Sequence, residues 1–197
     1  IAEILKNNET PERLKEKLLL AQDAREFAIS HLGLPDNRSY TKYVDINRES
    51  VVWNVVVATE FSLELEQSCF PIAGCVSYKG FYSKNAAEKY ARSKDKKNNV
   101  EYSILGIPAY STLGWSNWLG GDPILNTFLN SSEGHLVGLI FHELAHQKLY
   151  LKDDTTFNES FATAVERIGL EEWFKLKNNN DRVLRFKSEL KKEKSIK

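Results

Sequence analysis

The alternation of apolar and polar positions divides the chain into a helical start, a strand-rich middle and a helical end. Leu14, Leu18, Ala21, Ala24, Ala28 and Leu32 recur at helical spacing and form one apolar stripe. Ahead of them, Thr10-Pro11-Glu12 supplies a cap, a first-turn proline and an early acid, and Gly33 and Pro35 stop the helix. Asp36-Asn37 reads as a turn, and Tyr40, Tyr43, Val44 and Ile46 as a short strand. Val51 to Ala58 is β-branched and nearly all apolar, which predicts a central strand. Val76 to Tyr82 and Val100 to Leu105 read as further strands. Between them Lys84 to Lys97 reads as an exposed helix with Ala86, Ala87, Tyr90 and Ala91 turned inward.

Ala109 to Leu119 is rich in aromatics and small polar residues, with two readings. It is an edge strand that holds an extended substrate by backbone pairing, or a loop that packs Tyr110, Trp115 and Trp118 on the core. Asp122-Pro123 predicts the start of a short helix. Ser131 or Ser132 caps the apolar helix that follows, and after a polar turn a second helix runs through Phe161, Ala164, Val165 and Ile168. From Glu171 to the end, nine basic and five acidic residues give a net charge of +4 on a helical stripe of Leu176, Val183, Leu184, Phe186 and Leu190. This fits a solvated helix that packs on something better than a nucleic-acid arm. Strands with flanking helices, then helices alone, predict an α+β fold with an antiparallel or mixed sheet, residues 1–197 forming one domain.

Composition narrows the function. The charges balance at 27 basic against 27 acidic, which gives no sign of nucleic acid or an anionic membrane as partner. No apolar run approaches a membrane span. The chain has neither a Met at position 1 nor a signal peptide, so it reads as the mature or trimmed part of a longer chain.

The chemistry is concentrated in His142-Glu143-Leu144-Ala145-His146. On a helix, positions i and i+4 share a face, so one cation can touch both imidazoles. Glu143 is rotated by about 100° from His142, which places it beside the metal rather than on it. His-Glu-x-x-His is the zinc-peptidase motif, with the glutamate as general base. The neighbours Leu139, Ile140, Phe141, Leu144 and Ala145 make the helix at least half buried, and buried histidines need partners. A tetrahedral catalytic zinc needs a third protein ligand. Lys152 to Thr156 reads as a turn, with Asp154 or Thr155 as cap, and it returns Glu159 to about the level of His146. Glu159 is either that ligand or the capping-box partner of Thr156; Glu166, two turns further on, is the reserve ligand.

Several stretches resemble the predicted aminopeptidase family of Gram-negative bacteria. They are Phe141 to Gln147, Asp154 to Ala162, Val51 to Asn54, Cys69 to Val76 and Ala109 to Trp115, and the resemblance runs from about Leu14 to about Trp173. It implies a zincin-like fold and a gluzincin peptidase that uses Zn(2+), held by His142, His146 and Glu159, with Glu143 as base and a peptide as substrate. It further implies an exported protein, periplasmic or membrane-anchored, touching the membrane only through a lipid anchor since removed. Five residues between Cys69 and Cys75 match no metal or redox motif; with export implied, a disulfide is favoured over two buried thiols.

Three roles are open in the sequence. The acceptor for each histidine's second nitrogen could be Asp153, Asp154, Asn158 or Thr163. The donor that stabilises the oxyanion could be Tyr110, Tyr150 or His135. The acid that receives a substrate's α-amino group could be Glu60, Glu64 or Asp122. Two other function classes compete with the peptidase: a metal- or peptide-binding module without catalysis, against which Glu143 argues, and a hydrolase of non-peptide amides.

Overall fold

The computed structural model describes residues 1–59, 64–70, 74–98, 100–108, 121–152, 154–177, 181 and 188, with backbone alone at 69, 70, 74, 75 and 95–98. The architecture is α+β, in two compact units: Ile1–Val44 with Ser111–Lys197, and Asp45–Tyr110.

In the second unit, the apolar run seen in the sequence becomes β2 (Val52–Thr59). It lies between β5 (Lys79–Phe81) and β6 (Val100–Ile107) in an antiparallel sheet, its register with β6 running from Val52↔Ile107 to Thr59↔Val100. Val55 and Val57 point to one face, where α3 (Lys84–Asn98) lays Ala87 and Ala91 against them. Ala86, expected inside, is exposed. The strand expected over Val76 to Tyr82 divides into the end of β4 (Gly74–Val76) and β5, interrupted at Ser77-Tyr78.

The hairpin of β3 (Ser68–Phe70) and β4 pairs Cys69 directly with Cys75. Opposed Cα atoms in an antiparallel ladder stand about 4.5–5.5 Å apart, inside the ~4.4–6.8 Å that a disulfide spans. Protein taken from an oxidising native compartment is therefore expected to carry a Cys69–Cys75 bond. Alkylation of both thiols without prior reduction would refute it.

The first unit is a helical layer. The helix α2 (Glu12–Ser30) buries Leu18, Ala21, Ala24, Phe27 and Ala28. Opposite them, α5 (Glu133–Lys148) buries Leu136, Val137, Ile140, Phe141, Leu144 and Ala145. The third helix, α6 (Thr155–Leu176), adds Ala162, Leu170, Trp173 and Phe174. Phe27, Phe141 and Trp173 meet at ring separations of 5.4–6.4 Å, two pairs edge-on, which ties the three helices at one point. Gly169 permits the approach: a Cβ there would stand 2.7 Å from both Leu32 Cδ1 and Phe141 Cδ2.

Two expectations for this unit are corrected. Asp122 and Pro123 do not open a helix. Tyr40 N donates to Asp122 O at 2.6 Å and Ile124 N to Lys42 O at 2.7 Å, so the segment is drawn out as β7 (Ile124–Leu125), parallel to β1 (Tyr43–Val44). The short helix α4 begins only at Asn126 and ends at Leu129. The apolar residues that mark α6 in the sequence are also not those it buries. Ile168 is 61% exposed, while the helix continues past Glu171 and buries Trp173 and Phe174. The chain near the start of the unit (α1, Ala2–Lys6) buries no side chain.

Candidate metal centre

Local chemistry fixes both helices that carry the site. Ser132 Oγ accepts from His135 N at 3.3 Å and caps α5. Asp154 Oδ1 accepts from Phe157 N at 2.9 Å and caps α6. Buried Asn158 then fastens the turn between them: its amide donates to Leu151 O at 2.7 Å and its carbonyl oxygen accepts from Leu151 N at 2.8 Å. Asp154 and Asn158, weighed as histidine acceptors, are thus engaged in building the turn; Asp153 lies outside the described residues. With Asp154 as the cap, Glu159 sits within the helix rather than in a capping box with Thr156.

The turn brings Glu159 over the two histidines. His142 Nε2 and His146 Nε2 are 3.2 Å apart. One carboxylate oxygen of Glu159 lies 3.4 Å from His142 Nε2 and the other 3.5 Å from His146 Nε2. Taking one donor atom from each residue, all lie within 4.8 Å. Zinc bonds of about 2.0–2.1 Å require tetrahedral edges of about 3.3–3.4 Å. The two imidazole nitrogens stand near that spacing and Glu159 turns one oxygen to each, so the three residues could hold a cation and leave a fourth position open. His146 is 6% exposed and the Glu159 side chain 57%, so the cluster is buried at its base and open at the carboxylate.

The second nitrogens of the two imidazoles differ. His142 Nδ1 meets Glu166 Oε2 at 3.1 Å. That bond is the main cause of a raised His142 pKa; burial opposes it, and Glu143, Glu166 and Glu159 add attraction. Burial lowers the pKa of His146, whose Nδ1 is buried without a hydrogen-bond partner among the described residues. Glu166 thus takes the outer position that the sequence left open, on the same face of α6 as Glu159, seven residues on. Glu166→Gln should weaken metal binding by about 10–100-fold, the usual cost of losing such a partner. A competition titration with a chromogenic chelator measures it, and unchanged affinity would remove Glu166 from the site.

Glu143 is half buried on the flank of the pair, and its charge is felt by both His142 and buried Tyr40. On the same face, Gln147 is tied to the loop before β1. Asn37 Nδ2 donates to its Oε1 at 2.5 Å, and its Nε2 donates to Ser39 Oγ at 3.3 Å and Asp122 Oδ2 at 3.5 Å. Asp122, weighed as an amine receptor, is buried in this network. Among the other candidates, Tyr150 is 50% exposed and makes no hydrogen bond among the described residues. His135 is exposed on the first turn of α5, and Glu64 is exposed in the other unit. Tyr110 and Glu60, with the whole Ala109 to Leu119 segment, lie outside the described residues.

Comparison with known families now bears on this geometry: a family model described as "Putative aminopeptidase" matches residues 1–197. The chain belongs to that family. Neither the curated proteins nor the solved structures compared with the chain give a match. Membership of this family implies a peptide substrate. It also agrees with a carboxylate, Glu143, standing beside a group of three residues able to hold a cation.

Proposed function

We propose that the protein is a zinc-dependent aminopeptidase whose metal is held by His142, His146 and Glu159 and whose general base is Glu143. The observation that carries this reading is the convergence of three donor groups, one atom from each within 4.8 Å of the others, beside a carboxylate that is not one of them. A structural site would need no such base. Zinc, when bound, supplies a polarised carbonyl and a more acidic water.

The chain's own residues do the rest. Glu143 takes the proton released by the attacking water and passes it to the departing amine. Glu166 holds the His142 ring in register through Nδ1. Asn158 keeps the α5–α6 turn short, which sets the height of Glu159 against the histidines. The test is a mixed peptide-library digest by zinc-loaded protein, read by mass spectrometry at the new termini. Release of single N-terminal residues supports the reading. No cleavage at full zinc occupancy would put a non-catalytic binding module in its place.

A further inference from the structure

Water addition to a peptide carbonyl puts negative charge on the carbonyl oxygen, and a donor placed for that oxygen is usually the largest single stabilising contribution. The described candidates are poorly placed for it, as Tyr150 and His135 both face solvent. The loop before β1 offers another group. Glu143 and Gln147 are one turn apart on the same face of α5. Gln147 is bonded to Asn37 and Ser39, and the next residue in the chain is Tyr40. Asp122 joins the two, its carboxylate accepting from Gln147 Nε2 at 3.5 Å and its carbonyl from Tyr40 N at 2.6 Å, and the charge of Glu143 reaches the Tyr40 hydroxyl.

Tyr40 is held there at a cost. Its φ is +62°, the left-handed region, which is strained for a tyrosine. The surroundings enforce it. Its N–H donates to Asp122 O at 2.6 Å, and its ring stands edge-on to Phe128 at 6.5 Å. Gly121, at φ +76°, presses so closely on the loop that a Cβ would lie 2.4 Å from Arg38 C and Ser39 N. Such strain persists where it places a group for use. The residue is only 4% exposed, and its hydroxyl makes no hydrogen bond among the described residues. Burial, then the charges of Glu143 and Asp122, hold its pKa well above the ordinary 10, so it stays a donor at any working pH.

We propose that Tyr40 is a catalytic residue of this site, its hydroxyl donating a hydrogen bond to the substrate oxygen that becomes negative when water adds to the scissile carbonyl. The inference rests on the peptidase reading above. One water proton goes to Glu143, the water oxygen bonds to the carbonyl carbon, and the C=O π pair moves onto the oxygen that Tyr40 meets. When the C–N bond breaks, the pair returns and the proton on Glu143 goes to the leaving nitrogen. Tyr40 keeps its own proton throughout.

Tyr40→Phe tests this on the full, metal-loaded chain. Phenylalanine keeps the ring against Phe128 and carries the same backbone strain, so fold and metal content should not change. The expected result is a fall in kcat on the order of 10²–10³-fold, with KM close to wild type. Affinity for a peptide phosphonate, which mimics the tetrahedral oxyanion, should fall in step, while affinity for the product peptide holds. Wild-type kcat in Tyr40→Phe overturns the proposal. So does a loss of kcat that comes with lost zinc or a lowered Tm, since that marks a structural role. If the wild type cleaves peptides, Glu143→Gln does not and Tyr40→Phe does at full rate, this role alone fails. A wild type that cleaves no peptide removes the peptidase reading and this role with it.

Discussion

Glu143→Gln should keep its metal and its fold and lose peptide hydrolysis by at least ~10²–10⁴-fold, the usual contribution of a general base. That range is about 3–5 kcal/mol of transition-state stabilisation. The amide matches the carboxylate in size and can still hydrogen-bond a water beside it, but it cannot accept the proton. The three groups that converge on the cation position, His142, His146 and Glu159, are untouched by the change. KM should move little, because the proton transfer exists only in the transition state. Steady-state kinetics on any peptide the wild type cleaves, with zinc analysis of both proteins, is the measurement. Wild-type turnover in the variant would mean that another group carries the proton.

His146→Ala should fail differently, losing the metal and with it the activity. His146 is the deepest of the three candidate ligands, 6% exposed, and its Nε2 faces both His142 and Glu159. Structural zinc sites bind with about 10–16 kcal/mol over four ligands, or roughly 2.5–4 kcal/mol each. Removing one of three should therefore cost on the order of 10²–10³ in affinity. Activity should return partly with excess zinc, which Glu143→Gln should not allow. A His146→Ala protein that holds zinc as tightly as wild type would place the metal elsewhere.

The convergence of His142, His146 and Glu159 was legible in the sequence because it is local. One helical period aligns the histidines, and one short turn returns the glutamate. The same holds for β2, whose nearly all-apolar run marks a central strand, the place it takes between β5 and β6. What was not legible depends on the site's own polarity or on distant closure. The face of α6 turned toward the histidines of α5 carries Glu159 and Glu166, so hydrophobic periodicity favoured the outer positions such as Ile168. Glu166 could be read as a ligand from its spacing. Only the tertiary structure shows its oxygen at Nδ1 of His142 rather than at the cation position. Tyr40 read as part of a strand because its neighbours Tyr43 and Val44 are strand formers. Its left-handed backbone follows from contacts with Asp122, eighty-two residues away in the chain, which no local pattern encodes. Those same contacts unmade the helix that Asp122-Pro123 alone would suggest.

The metal centre itself can be examined by X-ray absorption at the zinc edge on purified, zinc-loaded protein. The expected result is one zinc per chain with nitrogen and oxygen neighbours at about 2.0–2.1 Å, the outer-shell scattering of two imidazoles, and no sulfur. The two-imidazole signature should disappear in His146→Ala. Zinc that is not retained, that shows sulfur neighbours, or whose spectrum is the same in His146→Ala as in wild type would contradict it.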